Sequence, residues 1–118
     1  MKWILALVFL SACVWPQLAN AYTTGNDLQD DCSAALQGQS GARAGLCMGF
    51  IDGYRELAVM TQPSNAKLLC LPDAVSNGQL LRIIAKYLDQ HPERLHLPAA
   101  QLIYDATNDA FPCPAATK

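Results

Sequence analysis

The sequence predicts a small all-α domain of four helices that is stapled by two disulfides. Through most of the chain after residue 22, apolar residues recur three and four positions apart, which is the spacing of an amphipathic helix. No segment alternates apolar and polar residues as a half-buried strand does. A length of 118 residues fits one domain, and four cysteines after residue 22 fit covalent support for a small core.

The first 21 residues have the features of a cleaved secretory signal peptide. Lys2 precedes an apolar run over residues 3–15, and the small-x-small triplet Ala19-Asn20-Ala21 follows. The run is shorter than the roughly 20 residues that a membrane span needs. We therefore expect cleavage after Ala21, a domain over residues 22–118 and a periplasmic location.

An alternative processing signal overlaps this leader. Leu10-Ser11-Ala12-Cys13 resembles a bacterial lipobox, which would leave Cys13 lipidated and the protein anchored to a membrane. Apolar residues continue after Cys13, at Val14 and Trp15, and ordinary cleavage accounts for the whole segment. We expect ordinary cleavage and keep lipidation of Cys13 as the alternative.

The charge balance excludes two classes of partner. The full chain carries 8 basic and 10 acidic residues. Loss of Lys2 with the leader leaves seven basic residues against ten acidic ones, which is a net charge of −3. A surface of this kind attracts neither nucleic acid nor an anionic membrane.

The four cysteines after the leader are predicted to form two disulfides, because an even set in a small exported domain is typical of a disulfide framework. No C-x-x-C motif points to zinc, haem or thioredoxin chemistry. Four cysteines allow three connectivities, and the sequence alone does not choose among them. We predict the pairs Cys32–Cys47 and Cys70–Cys113.

The first two helices are separated by a short polar link. The first is predicted over residues 26–36, with Gly38 as its C-terminal cap. Ser40 is predicted to cap a longer second helix that runs to about Thr61. The apolar stripes are Leu28, Cys32, Ala35 and Leu36 in the first helix and Cys47, Phe50, Ile51, Tyr54 and Ala58 in the second.

Three glycines recur every four residues in the second helix. Gly45, Gly49 and Gly53 form one ridge without side chains. Each costs roughly 1 kcal/mol of helix propensity relative to alanine. The compensation we expect is close packing inside the fold, and the alternative is a groove for a partner.

The third and fourth helices have clear boundaries. Ser76 and Gln79 form an S-x-x-Q capping box, and His91-Pro92 ends the third helix. Pro98 is a suitable first-turn residue for the fourth. The stripes are Leu80, Ile83, Ile84, Tyr87 and Leu88 in the third helix and Leu102, Ile103, Ala106, Ala110 and Phe111 in the fourth.

No set of residues forms a catalytic constellation. Asp52 and Glu56 lie one helical turn apart, but Arg55 adjoins both, which is typical of a solvated helix face. His91 and His96 are poorly spaced for a shared metal. With the cysteines in disulfides, no thiolate remains as a nucleophile. We therefore predict no catalytic residue, no metal and no cofactor.

Several short blocks, taken in order, carry a resemblance to a known family. They are Cys32; Cys47 followed by Gly49-Phe50-Ile51 and Gly53-Tyr54; Cys70-x-Pro72; Gln79-Leu80 and Tyr87-Leu88; His91-Pro92-Glu93-Arg94; and Phe111-Pro112-Cys113. This pattern resembles the Rap/Tai family, the immunity proteins of type VI secretion amidase effectors, over nearly all of the chain after the leader. One departure is a polar stretch over residues 104–108.

The resemblance implies a small helical periplasmic protein, often a homodimer, that binds a peptidoglycan-cleaving amidase and blocks its active site. The matching positions are mostly cysteines, glycines, prolines and apolar residues, so no partner-binding residue can be carried over. The alternative is a periplasmic acid-stress or folding chaperone of the HdeA type, which is also small, helical and disulfide-bonded. Four cysteines and only two histidines favour the immunity protein.

Overall fold

Four α-helices follow one another along the chain. The computed structural model describes residues 22–61 and 69–114. These contain α1 (Gly25–Leu36), α2 (Ala42–Thr61), α3 (Asn77–Gln90), a 3-10 turn (Pro92–Arg94) and α4 (Ala99–Ala110). No strand occurs in the described part of the chain, and the predicted all-α fold with four helices is confirmed. The predicted leader, residues 1–21, lies outside the described residues.

The core forms where the apolar stripes of all four helices meet. Leu36 and Ala110, which were predicted in the stripes, are exposed at the last residues of α1 and α4. The largest fully buried side chains are Leu28, Cys32, Cys47, Ile51, Leu80, Ile84, Leu88, Leu102 and Ile103.

Two disulfides join elements that are distant in sequence, and both predicted pairings are confirmed. Cys32–Cys47 connects α1 to α2, with a sequence separation of 15. Cys70–Cys113 connects the segment before α3 to the segment after α4, with a separation of 43. On the chain-entropy model these loops contribute about 3 and about 4 kcal/mol.

The ends of the helices follow the predicted caps in part. Gly38 follows α1 with φ of +68°, and the Ser76 hydroxyl accepts a hydrogen bond from the Gln79 N–H at the start of α3. Ser40 was predicted to cap α2, but the helix begins one residue too late for that role. The helix begins at Ala42, after Gly41, whose φ of +141° suits glycine and turns the chain into the helix.

The first turn of α1 is held by a capping box that the sequence analysis missed. The Thr24 hydroxyl accepts from the Asp27 N–H, and the Asp27 carboxylate accepts from the Thr24 N–H at 2.9 Å. Directly after Thr24, Gly25 lies against the segment that leads into α4. A Cβ at Gly25 would overlap a Leu102 methyl and lie 2.9 Å from the Leu95 backbone. The packing of α1 against the segment before α4 therefore leaves no space for a side chain at residue 25.

Candidate protein-binding surface

Three attachments hold α2 by its inner side and one flank. The disulfide at Cys47 joins it to α1. The Arg55 guanidinium donates to the Val75 carbonyl, and the Asp52 carboxylate accepts from the Asn77 side-chain amide at 2.5 Å. These bonds fix the rotation of α2 about its axis, and they leave its other side facing outward.

The glycine ridge lies on this outward side. An ideal Cβ at Gly45, Gly49 or Gly53 would have no described residue of the chain within 4 Å. The prediction that the ridge packs inside the fold is therefore wrong for the part of the chain that the structure describes. Among the described residues the space above these glycines is open, so packing within the described chain does not account for them.

Exposed apolar side chains accompany the ridge. Leu46 is 55%, Leu57 is 50% and Met60 is 76% exposed. Together with Gly49 and Gly53 they recur three or four residues apart, which places them along one side of α2. We call these five residues the α2 outer face. A contiguous apolar surface of this kind on a small domain is typical of an interaction site.

An apolar groove runs between the α2 outer face and α4. Its volume is about 260 Å³. On the α2 side the groove is open at Gly49 and Gly53, because neither residue has a side chain to fill the space. The buried Ile103 contributes from α4. The full lining is Gly49, Phe50, Gly53, Tyr54, Leu57, Ala100 and Ile103.

A hydrogen bond ties α2 to α4 beside the groove. The Thr107 hydroxyl donates to the Ile103 carbonyl at 2.8 Å, so the Tyr54 hydroxyl is the donor in its 2.5 Å contact with Thr107 Oγ1. Burial raises the pKa of Tyr54 above its ordinary value, which keeps the phenol protonated and able to donate. The bond holds the Tyr54 part of the groove wall against α4.

The polar stretch that departs from the family pattern has a structural role. The Asp105 carboxylate accepts from Arg94 Nη2 at 2.6 Å, and Arg94 also donates to the Tyr87 hydroxyl. Arg94 therefore links the 3-10 turn to both α3 and α4. Thr107, in the same stretch, accepts from Tyr54. Asp105 and Thr107 therefore each bond a neighbouring element of the fold.

The other candidate residues are used within the fold. His91 Nδ1 lies 3.1 Å from the Glu93 carboxylate, and its ring centroid is 4.3 Å from that of Tyr87, whereas His96 is exposed. Arg55 bonds a backbone carbonyl and does not bridge Asp52 and Glu56. Within the described ranges, no group of three or more His, Cys, Asp or Glu residues could hold a metal ion.

A second groove, between α1 and α3, differs in chemistry from the first. It is lined mainly by polar residues, among them Asp30, Ser33 and Asp89. A hydrogen bond of 2.8 Å from the Gln29 amide to Asp89 crosses between the two helices there. Leu36 and Ala85 form the apolar part of its lining, so this groove is less apolar than the one beside the α2 outer face.

The chain matches the Rap1a immunity proteins over residues 24–113, which include every described helix. It belongs to the Rap1a immunity protein family. The resemblance predicted from the sequence blocks is thereby confirmed, and membership supports an immunity role over the chaperone alternative. No match to the chain was found among curated proteins or among solved structures.

The family match bears on the α2 outer face because a Rap1a immunity protein acts through a protein partner. The sequence analysis did not select Leu46, Leu57 or Met60. The sequence could have identified them, because all three lie outside the predicted core stripe of α2 and on the side of the helix that carries Gly49 and Gly53. None of the helices in residues 22–61 and 69–114 combines the length and apolar character needed to cross a membrane.

Proposed function

We propose that this chain is a periplasmic immunity protein that binds a peptidoglycan amidase effector of a type VI secretion system and inhibits it without chemistry of its own. The Rap1a family match supports the immunity role. The amidase, the secretion system, the periplasmic location, cleavage after Ala21 and a homodimeric state are finer expectations that come from the sequence blocks and the leader.

The observation that carries the proposal is the preformed apolar surface at α2. An inhibitor needs a surface that is ordered before binding, because ordering side chains on association subtracts from the affinity. The Tyr54–Thr107 bond and the Cys32–Cys47 disulfide hold the helices beside the groove. Nothing in this arrangement requires a nucleophile, a metal or a cofactor.

The two disulfides support a role outside the cytoplasm. Disulfides persist in the periplasm and are rare in the reducing cytosol. Cys32 and Cys47 are both buried in the core, so their bond forms part of the fold that would meet the effector. The leader over residues 1–21 would deliver the chain to that compartment.

The decisive experiment begins with a search of the genes adjacent to this one for a small secreted amidase with a Cys/His pair, which then serves as the effector. Exported alone into the periplasm of a test bacterium, such an amidase degrades the cell wall and lyses the cell. We expect that co-export of this protein prevents lysis and that the purified protein inhibits peptidoglycan cleavage at a one-to-one ratio of sites. Continued lysis and undiminished cleavage at excess protein would refute the proposal.

The matched control is the same chain without residues 1–21. It lacks the export signal, so we expect it to leave cells unprotected while the full chain protects them. The intact mass of protein recovered from the periplasm tests processing, and we expect an N-terminus at Tyr22. A diacylglyceryl-modified Cys13 would instead establish the lipoprotein alternative.

A further inference from the structure

The sequence contains one Asn-Gly pair, Asn77-Gly78, in the first turn of α3. In such a pair the backbone nitrogen of the glycine attacks the side-chain carbonyl carbon of the asparagine, which begins spontaneous deamidation. Glycine favours the attack because it has no side chain to hinder it and because its backbone rotates freely. Whether the reaction occurs in a folded protein depends on what holds the two residues.

The attacking nitrogen is not held by the helix. The first N–H groups of a helix have no carbonyl partner within it, and the Gly78 N–H donates to none of the described residues. The next two are engaged, since the N–H groups of Gln79 and Leu80 donate to the Ser76 carbonyl at 3.1 and 3.0 Å. Rotation that brings the nitrogen to the Asn77 side chain therefore breaks no hydrogen bond of Gly78 itself.

The pair is also open to solvent. Asn77 is partly exposed and Gly78 is exposed. Among the described residues, an ideal Cβ at Gly78 would meet only Arg82 Nη1, at 4.0 Å. The cyclic intermediate of deamidation therefore has room to form, and water reaches it.

The asparagines of α1 and α4 have less favourable surroundings. Asn26 and Asn108 are each followed by an aspartate, whose side chain hinders the attack. The Asn26 amide also donates to the Leu95 carbonyl at 3.2 Å. The related Asp-Gly pair, Asp52-Gly53, lies in the interior of α2, where backbone N–H groups donate to carbonyls four residues earlier. The structure thus distinguishes Asn77 from these positions.

The reaction balances with water as the only co-reactant. The Gly78 nitrogen loses its proton and bonds to Asn77 Cγ, the Cγ–Nδ2 bond breaks, and ammonia leaves with that proton. Water then opens the resulting succinimide ring at either carbonyl. The product is aspartate or isoaspartate at position 77, and the exchange of ammonia for water changes the mass measurably.

The Asp52 carboxylate gives this position its importance. It accepts a hydrogen bond from the Asn77 amide at 2.5 Å, which is one of the attachments of α2. The bond resists the side-chain rotation that the attack requires. After deamidation a second carboxylate would lie where the amide lay, and two like charges at hydrogen-bond distance repel each other. The contact between α2 and α3 would then change from attractive to repulsive.

We propose that Asn77 is a site of spontaneous deamidation, that the Asp52 carboxylate slows the reaction by holding the amide, and that the product releases α2 from α3 at this flank. The inference goes beyond the proposed function, because it concerns how long the attachment of α2 lasts and holds whichever partner the protein binds.

The first test follows the exported, processed protein by peptide mapping in mildly alkaline buffer, which favours the attacking form of the backbone nitrogen. We expect aspartate and isoaspartate to accumulate at position 77 while Asn26 and Asn108 stay intact. Gly78→Ala should slow the reaction several-fold, because its methyl hinders the attack. Gly45→Ala, the same change at an open position on α2, should leave the rate unchanged.

A second pair of variants tests the role of Asp52. Asp52→Ala frees the Asn77 side chain and should speed deamidation several-fold. Glu56→Ala removes a carboxylate one turn further along α2. It should leave the rate unchanged, because Asp52 is the residue that accepts from Asn77.

The effect of the product is tested by thermal melts of Asn77→Asp in two backgrounds. With Asp52 present, the new carboxylate meets a like charge. In the Asp52→Asn background the two partners are exchanged, so an amide at residue 52 donates to a carboxylate at residue 77. The shift in melting temperature should be more favourable in that background. Any benefit of an acid at the start of a helix is present in both, so the difference reports the contact.

Three results would overturn the inference. They are an Asn77 that reacts no faster than Asn108, an Asp52→Ala variant that deamidates no faster than Glu56→Ala, and an equal shift of the melting temperature in both backgrounds. None of these measurements involves an effector, so their failure would leave the proposed function standing.

Discussion

The first turn of α1 and the ridge of α2 both contain glycine within a helix, but their surroundings are opposite. At Gly25 a Cβ would overlap Leu102 and lie 2.9 Å from both the Cα and the carbonyl oxygen of Leu95. At Gly49 and Gly53 it would meet no described atom within 4 Å. Neither site has a positive φ, so backbone strain explains glycine at neither position.

The comparison distinguishes two reasons why a helix contains glycine, although glycine lowers helix stability. Gly25 is required by packing within the chain, because its N–H donates to the Leu97 carbonyl at 2.9 Å and its Cα faces Leu95 and Leu102. The glycines of α2 cost helix stability and gain nothing within the described chain. Packing within the described residues therefore does not explain the glycines of α2.

The largest effect is expected for Gly25→Ala. The added methyl overpacks the contact with Leu95 and Leu102, which should destabilise the fold by about 2 kcal/mol and lower the melting temperature by about 10 °C. The matched control is Gly78→Ala in the first turn of α3, where only Arg82 Nη1 comes within 4.0 Å. A thermal melt in which both variants behave alike would contradict the assignment of Gly25 to internal packing.

A smaller loss is expected for Thr24→Ala. The change removes the hydroxyl that caps the first turn of α1 and positions Gly25, and loss of such a cap costs about 1 kcal/mol. Ser40→Ala is the control, because Ser40 does not cap α2, and its effect should stay within about 0.5 kcal/mol. Chemical denaturation measures both variants, and equal losses would reinstate Ser40 as a cap.

The sequence predicted the helices, the disulfide pairs and most of the core, because these follow from local periodicity and cysteine pairing. It did not predict which glycine is packed. Gly25 has no repeat around it, and its contacts come from Leu95 and Leu102 far along the chain. The ridge stands out in sequence by its repeat, but spacing alone does not tell whether the space above it is filled.

The polar residues of α4 were missed for the same reason. Asp105 and Thr107 interrupt an apolar stripe, and only tertiary structure brings Arg94 and Tyr54 to them. The exposed leucines of α2 were recoverable in part, since Leu46 and Leu57 lie off the core stripe. Their importance depends on the open groove beside them, which is a property of how α2 and α4 diverge.

Substitution at the ridge should have the opposite sign to substitution at Gly25. Gly49→Ala adds helix propensity in open space, so it should stabilise the monomer by about 0.8 kcal/mol. The measurement is a thermal melt of Gly49→Ala, with Gly25→Ala as the control. A lower melting temperature for Gly49→Ala would mean that part of the chain does pack on the ridge.

The smallest effect that we expect is a difference between Asp27 and Asp31, two carboxylates of α1, in how stability depends on pH. The hydrogen bond from the Thr24 backbone, with that from its hydroxyl, holds the pKa of Asp27 below its ordinary value near 3.8. Burial raises the pKa of Asp31 above that value, although Arg43 partly offsets the shift. Folding therefore favours the charged form of Asp27 and the protonated form of Asp31.

Linkage gives these shifts opposite consequences for stability. The contribution of Asp27 is present above its unfolded pKa and is lost as the pH falls through the lower folded pKa. Asp31 opposes folding at neutral pH, and this penalty disappears as the pH falls through its raised folded pKa toward the unfolded one.

Asp27→Asn should therefore lower the melting temperature at pH 7, and its melting temperature should converge with that of the unaltered protein in acid. Asp31→Asn should be neutral or stabilising at pH 7 and lose any advantage in acid. Melting curves from pH 2 to pH 7 compare the two, and the same sign of pH dependence in both variants would mean that the capping box does not hold the Asp27 carboxylate, and with it the turn that seats Gly25.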